Sequence, residues 1–222
     1  MRGTESAARG SGGTNSRDMV RFAIDGVRAE LAEASAVLDL GCGTGDLGAA
    51  IRPAFRGVLD GMDVVRHDGF KEAFYDSFTL FDLDRPAGNE GPAYDLVFAI
   101  EVIEHLENPR AFVRYAVRLL KPGGTLVVTT VNVLSLTSVA NLIFQGAFRE
   151  FRNGLGMYPA HITPVTPVDA GRIMCEAGLD DVTIAFTNHG RVPYFDLSFQ
   201  QLLPLRGQWF SDNYRAIGQR VA

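Results

Sequence analysis

The stretch Val37-Leu38-Asp39-Leu40-Gly41-Cys42-Gly43-Thr44-Gly45 (VLDLGCGTG, 37–45) sets the architecture. It opens with the end of an apolar run, AVLDL at 36–40, that halts at glycines. A short apolar run bounded in this way is the pattern of a strand buried on both faces. Gly41, Gly43 and Gly45 then alternate with Cys42 and Thr44 before a helical pattern over 45–52. Glycine reaches backbone angles closed to other residues and lets the main chain approach a ligand closely. In open α/β sheets a ligand sits at the carboxyl ends of the strands, beside such a turn. The spacing is G-x-G-x-G, which departs from the G-x-G-x-x-G of dinucleotide binders.

Working outward, four more apolar runs read as strands: GVLDGMDVV (57–65), SFTLFDL (77–83), YDLVFAI (94–100) and GTLVVTTVN (124–132). Helical patterns over 45–52, 67–75 and 108–120 separate most of them, and KPGG (121–124) stops the last. Upstream, Met19, Val20, Phe22, Ala23, Val27 and Leu31 recur at helical spacing, predicting one amphipathic helix over 17–33. Downstream, helices at 134–148 and 167–177 lead into a sixth strand, DDVTIAF, and SDNYRAIGQRVA predicts a seventh. Strands alternating with helices imply an α/β, Rossmann-like fold: a mostly parallel sheet with helices on both faces.

The chain has 222 residues, 46% of them hydrophobic and 21% charged, which suits one domain with additions. Residues 1–16 are polar and Gly/Ser-rich, and they read as a disordered leader before a single domain over 17–222. Two segments inside that domain, 133–160 and 189–210, are free to form an acceptor-side lid and pocket wall. The leader lacks the apolar core of a secretory signal, and no run of about 20 apolar residues exists to span a membrane. Together with two unclustered cysteines, Cys42 and Cys175, this points to a reducing, cytoplasmic setting. The formal net charge of -5 argues against nucleic acid as the partner.

Downstream spacing gives the glycine turn its chemistry. Asp63 lies 22 residues after Gly41 (63 − 41), at the end of the second strand. A carboxylate there accepts hydrogen bonds from the two hydroxyls of a ribose. Asp82, at the end of the third strand, can accept from an adenine amino group, with Asp84 as its rival. The order VLDLGCGTG, GMDVV, FDLD, YDLVFAIEVIEHLENP and LLKPGGTLVVTTVN resembles the class I S-adenosylmethionine-dependent methyltransferases. The resemblance covers 36–132, and 161–187 more loosely. It implies a seven-stranded sheet with a reversed last strand and S-adenosyl-L-methionine as cofactor. It also implies that Gly41 and Gly43 face the methionine part, Asp63 the ribose and Asp82 the adenine. Asp39 supports the turn or meets the amino group through water, and Cys42, Gly45, Val64 and Leu83 complete the cofactor side.

EVIEHL (101–106) stands where that family places substrate-facing residues. Glu101, Glu104 and His105 are spaced i, i+3 and i+4, which puts all three on one face of a helical turn. Two carboxylates and an imidazole can hold a divalent cation such as Mg²⁺ or Mn²⁺. The pattern is similar to one in ubiquinone-pathway O-methyltransferases, and to the metal-binding motif of small-RNA 3′-end 2′-O-methyltransferases. The RNA enzymes add a later histidine, for which His161 in AHITPVTP is the candidate. Other roles stay open: Glu101 as a contact to the methionine end of the cofactor, His105 as general base without metal, and Glu104 and His105 as caps of the following helix or partners of an arginine. His67 and His189 read as surface loop residues.

The expected activity is methylation of a small-molecule hydroxyl, favoured over nitrogen because no Asn/Asp-Pro-Pro-Tyr/Phe motif follows the fourth strand. RNA-end methylation and non-catalytic cofactor binding are the alternatives. Phe144, Phe148, Phe151, Met157, Tyr158, Tyr194, Phe195, Phe199, Trp209 and Phe210 suggest an acceptor that is partly apolar or aromatic. Arg149 and Arg152 could instead meet an anionic one.

Overall fold

A computed structural model of the chain describes residues 2–86, 91–152, 161–192 and 197–221. Seven strands form one sheet: β1 (Ala36–Leu40), β2 (Val58–Asp63), β3 (Ser77–Leu80), β4 (Tyr94–Ile100), β5 (Leu120–Val131), β6 (Leu179–Phe186) and β7 (Asn213–Arg220). Their order is β3-β2-β1-β4-β5-β7-β6. The pairs among β1 to β5 are all parallel, and β7 runs antiparallel to both its neighbours. β1 has β2 on one side and β4 on the other, so the strand order reverses there and a crevice opens at the carboxyl ends.

Successive strand residues feed opposite faces of the sheet. Leu38, Leu40, Val97 and Ala99 join a core with Phe112, Tyr115, Ile173 and Met174, from α5 (Pro109–Leu119) and α7 (Pro167–Glu176). Val37, Leu96 and Phe98 join a second core with Met19, Val20, Ala23 and Leu47, from α2 (Arg17–Asp25) and α4 (Asp46–Ile51). Burial on both sides explains why these strands read as continuous apolar runs. The remaining helices are α1 (Arg2–Ser11), α3 (Arg28–Glu33), α6 (Leu136–Gln145) and the short α8 (Phe199–Leu202).

The structure departs from the sequence expectations at four places. The single helix expected over 17–33 is two, α2 and α3, divided at Gly26. A Cβ at Gly26 would lie 2.5 Å from the Arg215 guanidinium, so the chain passes too close to β7 there for a side chain. The helix expected over 67–75 is only a 3₁₀ turn, Glu72–Phe74. Its backbone closes elsewhere: Lys71 N–H donates to the Thr44 carbonyl at 3.0 Å. β3 stops at Leu80, short of Asp82.

The leader, expected to be disordered, holds α1 and then crosses the glycine turn. Gly12 and Gly13 both take positive φ and turn the chain out of α1. The Gly13 carbonyl accepts from Thr44 N–H at 2.7 Å, and Asn15 N–H donates to Asp46 Oδ2 at 3.0 Å. Polar Gly/Ser composition gave no sign of this, because the contacts are made by backbone groups.

Candidate active site

A cavity of about 870 Å³ opens at the carboxyl ends of β1, β2 and β4. Gly41, Gly43, Asp63, Val64 and Leu83 line one end of it, and Glu101, His105 and His161 the other. Gly41 and Gly43 sit at φ of 81° and 53°, the left-handed region that favours glycine. A Cβ at Gly41 would meet Val102 at 2.5 Å, and one at Gly43 would meet the Gly13 carbonyl oxygen at 2.0 Å. Gly43 N–H donates to Asp63 Oδ2 at 2.8 Å, fixing the carboxylate against the turn. Burial raises the Asp63 pKa, opposed by that N–H and by His67 nearby.

Other residues picked from the sequence stand behind this wall. Asp39 is buried under the turn, and its Oδ2 accepts from the Tyr75 hydroxyl at 2.6 Å. Burial pushes its pKa up to about 7, against the hydrogen bond from Tyr75. Cys42 is buried beneath the turn, where burial pushes its thiol up as well. Gly45, at φ 82°, caps α4. Asp82 does not line the cavity, contrary to expectation: β3 ends two residues before it, and its Oδ1 accepts from Asp84 N–H at 3.0 Å. Asp84 lines the cavity in its place.

One residue was missed. His67, expected in a surface loop, is only 9% exposed and lies on the cavity wall with Nε2 4.0 Å from Asp63 Oδ2. Its spacing, four residues after Asp63, was the available signal.

At the acceptor end, Glu101 follows β4 at φ 55°, a strained angle for a residue with a side chain. Its Oε1 accepts from the Thr129 hydroxyl at 3.3 Å and its Oε2 from Asn213 Nδ2 at 3.1 Å. Burial lifts its pKa to about 7 against these two bonds. The chain then makes a 3₁₀ turn, Ile103–His105, that turns Ile103 and Glu104 inward and leaves His105 on the cavity wall. The common helical face expected for Glu101, Glu104 and His105 therefore does not form.

A different set meets instead. Ile162 and Thr163 N–H donate to the Glu104 carbonyl at 2.9 and 3.0 Å, which brings His161 to His105 edge-on, ring centroids 4.7 Å apart. One ligand atom from each of Glu104, His105 and His161 falls within 4.8 Å of the others, and Glu101 is outside this group. Glu104 is 0% exposed, and among the described residues neither of its carboxyl oxygens has a hydrogen-bond partner. Burial and the nearby Glu101 charge raise its pKa well above the usual carboxylate range. Burial and His105 lower that of His161 to about 4.

The described wall carries the polar Glu150, Arg191, Asp212 and Asn213 together with the apolar Val102, Val131 and Ile162. Arg191 Nε bonds Asp212 Oδ2 at 3.0 Å. Of the aromatic residues picked from the sequence, Phe151 reaches the site, 5.5 Å from the His161 ring, while Phe144 is 80% exposed. Met157, Tyr158, Tyr194 and Phe195 lie outside the described residues. His189 is exposed, as expected. No helix among the described residues is long and apolar enough to cross a membrane.

The family described as a methyltransferase domain matches residues 16–184. A ubiquinone biosynthesis O-methyltransferase of Rattus norvegicus is 30% identical over 119 residues, covering 49% of this chain and 34% of that protein. One of Xanthomonas oryzae pv. oryzae is 33% identical over 120 residues, covering 51% and 49%. The matches thus span about a third to a half of these relatives' length. A solved S-adenosylmethionine-dependent methyltransferase of Archaeoglobus fulgidus superposes with a TM-score of 0.66 at 20% identity, over 93% of this chain and 95% of that one. With the sheet order, the glycine turn and the family match in agreement, the chain belongs to the methyltransferase-domain family, as a class I S-adenosylmethionine-dependent methyltransferase.

Proposed function

We propose that the chain methylates a hydroxyl oxygen of a small molecule, with a divalent cation held by Glu104, His105 and His161 beside the acceptor. The observation that carries this reading is Glu104, whose fully buried carboxyl has no hydrogen-bond partner among the described residues and faces two imidazoles. A buried polar group without a partner is costly and calls for an explanation, such as an ion. One carboxylate and two imidazoles suit a borderline divalent cation such as Mn²⁺ better than Mg²⁺, which takes oxygen ligands. Such an ion would bind acceptor oxygens and lower the pKa of the hydroxyl. Two curated relatives named as O-methyltransferases support oxygen as the target atom.

The chain's own part is alignment. Asp63 would accept the ribose hydroxyls, and the left-handed glycines would let the backbone meet the methionine end. S-adenosylmethionine supplies an activated methyl, so what remains is to hold the acceptor oxygen in line with the carbon–sulfur bond that breaks. Where it does not ligate a cation, His105, on the cavity wall, would take the hydroxyl proton. Without a cation it would act as general base alone. Glu101, tied to Thr129 and Asn213, would shape the floor between cofactor and acceptor.

RNA-end methylation draws on the same Glu104, His105 and His161 grouping. The net charge of -5 and the acids Glu101, Glu150 and Asp212 around the cavity weigh against a polyanion. The test is methyl transfer to a panel of catechols and to RNA oligonucleotides, in chelator and after Mg²⁺ or Mn²⁺ is added back. Catechol methylation restored by metal supports the proposal. Full activity in chelator leaves His105 as the base, and activity on RNA alone overturns the small-molecule reading.

A further inference from the structure

We propose that His67 is a positioning residue of the cofactor site: it seats the 12–16 strap over the glycine turn and backs Asp63, so that cofactor exchange requires the strap to lift off the His67 ring. Both neighbours of the imidazole belong to the cofactor end of the cavity. On one side Nε2 stands 4.0 Å from Asp63 Oδ2, and the two side chains are only 6% and 10% exposed. On the other lies Gly13, at φ 60°, where a Cβ would come within 2.6–2.7 Å of three ring atoms. Gly13, Thr14, Asn15 and Ser16 line the same cavity as Asp63 and His67. The strap is therefore a wall of the cofactor site and rests directly on the imidazole.

The strap is held by few and mostly polar contacts. Thr44 N–H donates to the Gly13 carbonyl at 2.7 Å, and Asn15 N–H donates to Asp46 Oδ2 at 3.0 Å. Asp46 also accepts from the Thr44 hydroxyl at 2.9 Å and from Lys71. Every one of these partners sits in or next to the glycine turn, so strap and turn close as one unit. A segment held by a few hydrogen bonds opens locally far more easily than the core around it. Glycine at 13 serves two needs at once: the left-handed backbone and the contact with the imidazole. A ligand that touches both strap and Asp63 would bind the closed arrangement better than the open one, and so shift the population toward it.

This inference rests on the assignment of Asp63 to the ribose. The experiment measures S-adenosylhomocysteine dissociation from the full chain by stopped flow, its affinity by calorimetry, and hydrogen exchange of the 12–16 amides with and without that ligand. Gly13→Ala and His67→Ala are each expected to speed dissociation about tenfold. Their double variant should fall short of the product of the two effects by about threefold or more, because the added methyl clashes with a ring that is gone. His67→Gln, which keeps a polar group near Nε2, should recover part of the loss. Ligand should protect the 12–16 amides in the wild type and less so in His67→Ala.

Independent, multiplying effects with unchanged protection would overturn the proposal and make His67 a filler of the loop. If Gly13→Ala does not fold, the exchange comparison between wild type and His67→Ala decides alone. Asp63→Ala separates the two readings. Undiminished affinity in that variant refutes the ribose assignment, whereas lost affinity with no Gly13–His67 coupling refutes only the strap.

Discussion

Replacing Glu104 with methionine removes a fully buried carboxyl whose oxygens lack hydrogen-bond partners among the described residues, and fills the space with an apolar chain of similar size. An unsatisfied buried polar group costs about 1–3 kcal/mol. Exchanging buried ionic groups for apolar ones of like volume is often neutral or gains about 1–4 kcal/mol. Glu104 is a single carboxyl and not an ion pair, so the lower part of that range applies, a gain of about 1–2 kcal/mol. For a chain of this size each kcal/mol moves the unfolding midpoint by about 2–4 °C. In chelator, Glu104→Met should thus melt about 2–8 °C above the wild type. Adding Mn²⁺ should reverse the order. A cation at a hundred times its dissociation constant stabilises by about 2.7 kcal/mol, or roughly 5–11 °C, and the variant should not respond. Differential scanning fluorimetry of untagged protein, titrated with Mg²⁺ and Mn²⁺ after chelation, reads both effects. A variant that melts well below the wild type in chelator would show that Glu104 is bonded within the fold. An equal metal response in both proteins would place the ion elsewhere.

Asp63→Ala should weaken S-adenosylmethionine binding roughly a hundredfold or more by calorimetry, since two hydrogen bonds to a charged acceptor are worth about 1.5 kcal/mol or more each, while circular dichroism shows the fold intact. Asp39→Asn tests the turn's buried acid. The folded carboxyl keeps its proton up to about pH 7 and the unfolded one loses it near the ordinary value of 3.8, so the wild type loses stability as pH rises through that window. The amide variant should therefore gain in apo midpoint at pH 8 relative to pH 5, and an equal effect at both values would contradict the shift. Gly26→Val places a branched side chain 2.5 Å from the Arg215 guanidinium and should cost about 1–3 kcal/mol in urea unfolding, without a selective loss of cofactor affinity.

The cofactor half was readable where both faces of a strand are buried. β1 and β4 fall at 36–40 and 94–100 as predicted, because continuous apolar runs end at glycines and polar loops. Asp63 and the glycine turn, picked out by their spacing, line one cavity. What the sequence hid depends on contacts between distant segments. Residues 67–75 have helical periodicity, yet Lys71 bonds the Thr44 carbonyl and the chain coils only for the 3₁₀ turn Glu72–Phe74. Glu101, Glu104 and His105 promise a shared face only if the turn is α-helical, and a 3₁₀ turn after a left-handed Glu101 sends them in different directions. His161, named from the resemblance, is brought to Glu104 and His105 by the Ile162 and Thr163 N–H bonds to the Glu104 carbonyl. The leader looked disordered because it is held through its own backbone groups, the Gly13 carbonyl and the Asn15 N–H, which composition does not show.

Asn213 opens β7 and bonds Glu101 across a sequence separation of 112 residues. Next to it, the Tyr214 hydroxyl donates to the Val165 carbonyl at 3.1 Å, and Arg215 bonds the Phe22 carbonyl, 193 residues away. These ties have a consequence in time. At about 5–20 residues per second, the ribosome adds Asn213 roughly 6–22 s after Glu101. For that interval the nascent chain carries its glycine turn and Asp63 but lacks the strand that holds Glu101. The floor of the cavity at Glu101 is thus completed last, by the strand inserted against the direction of the others.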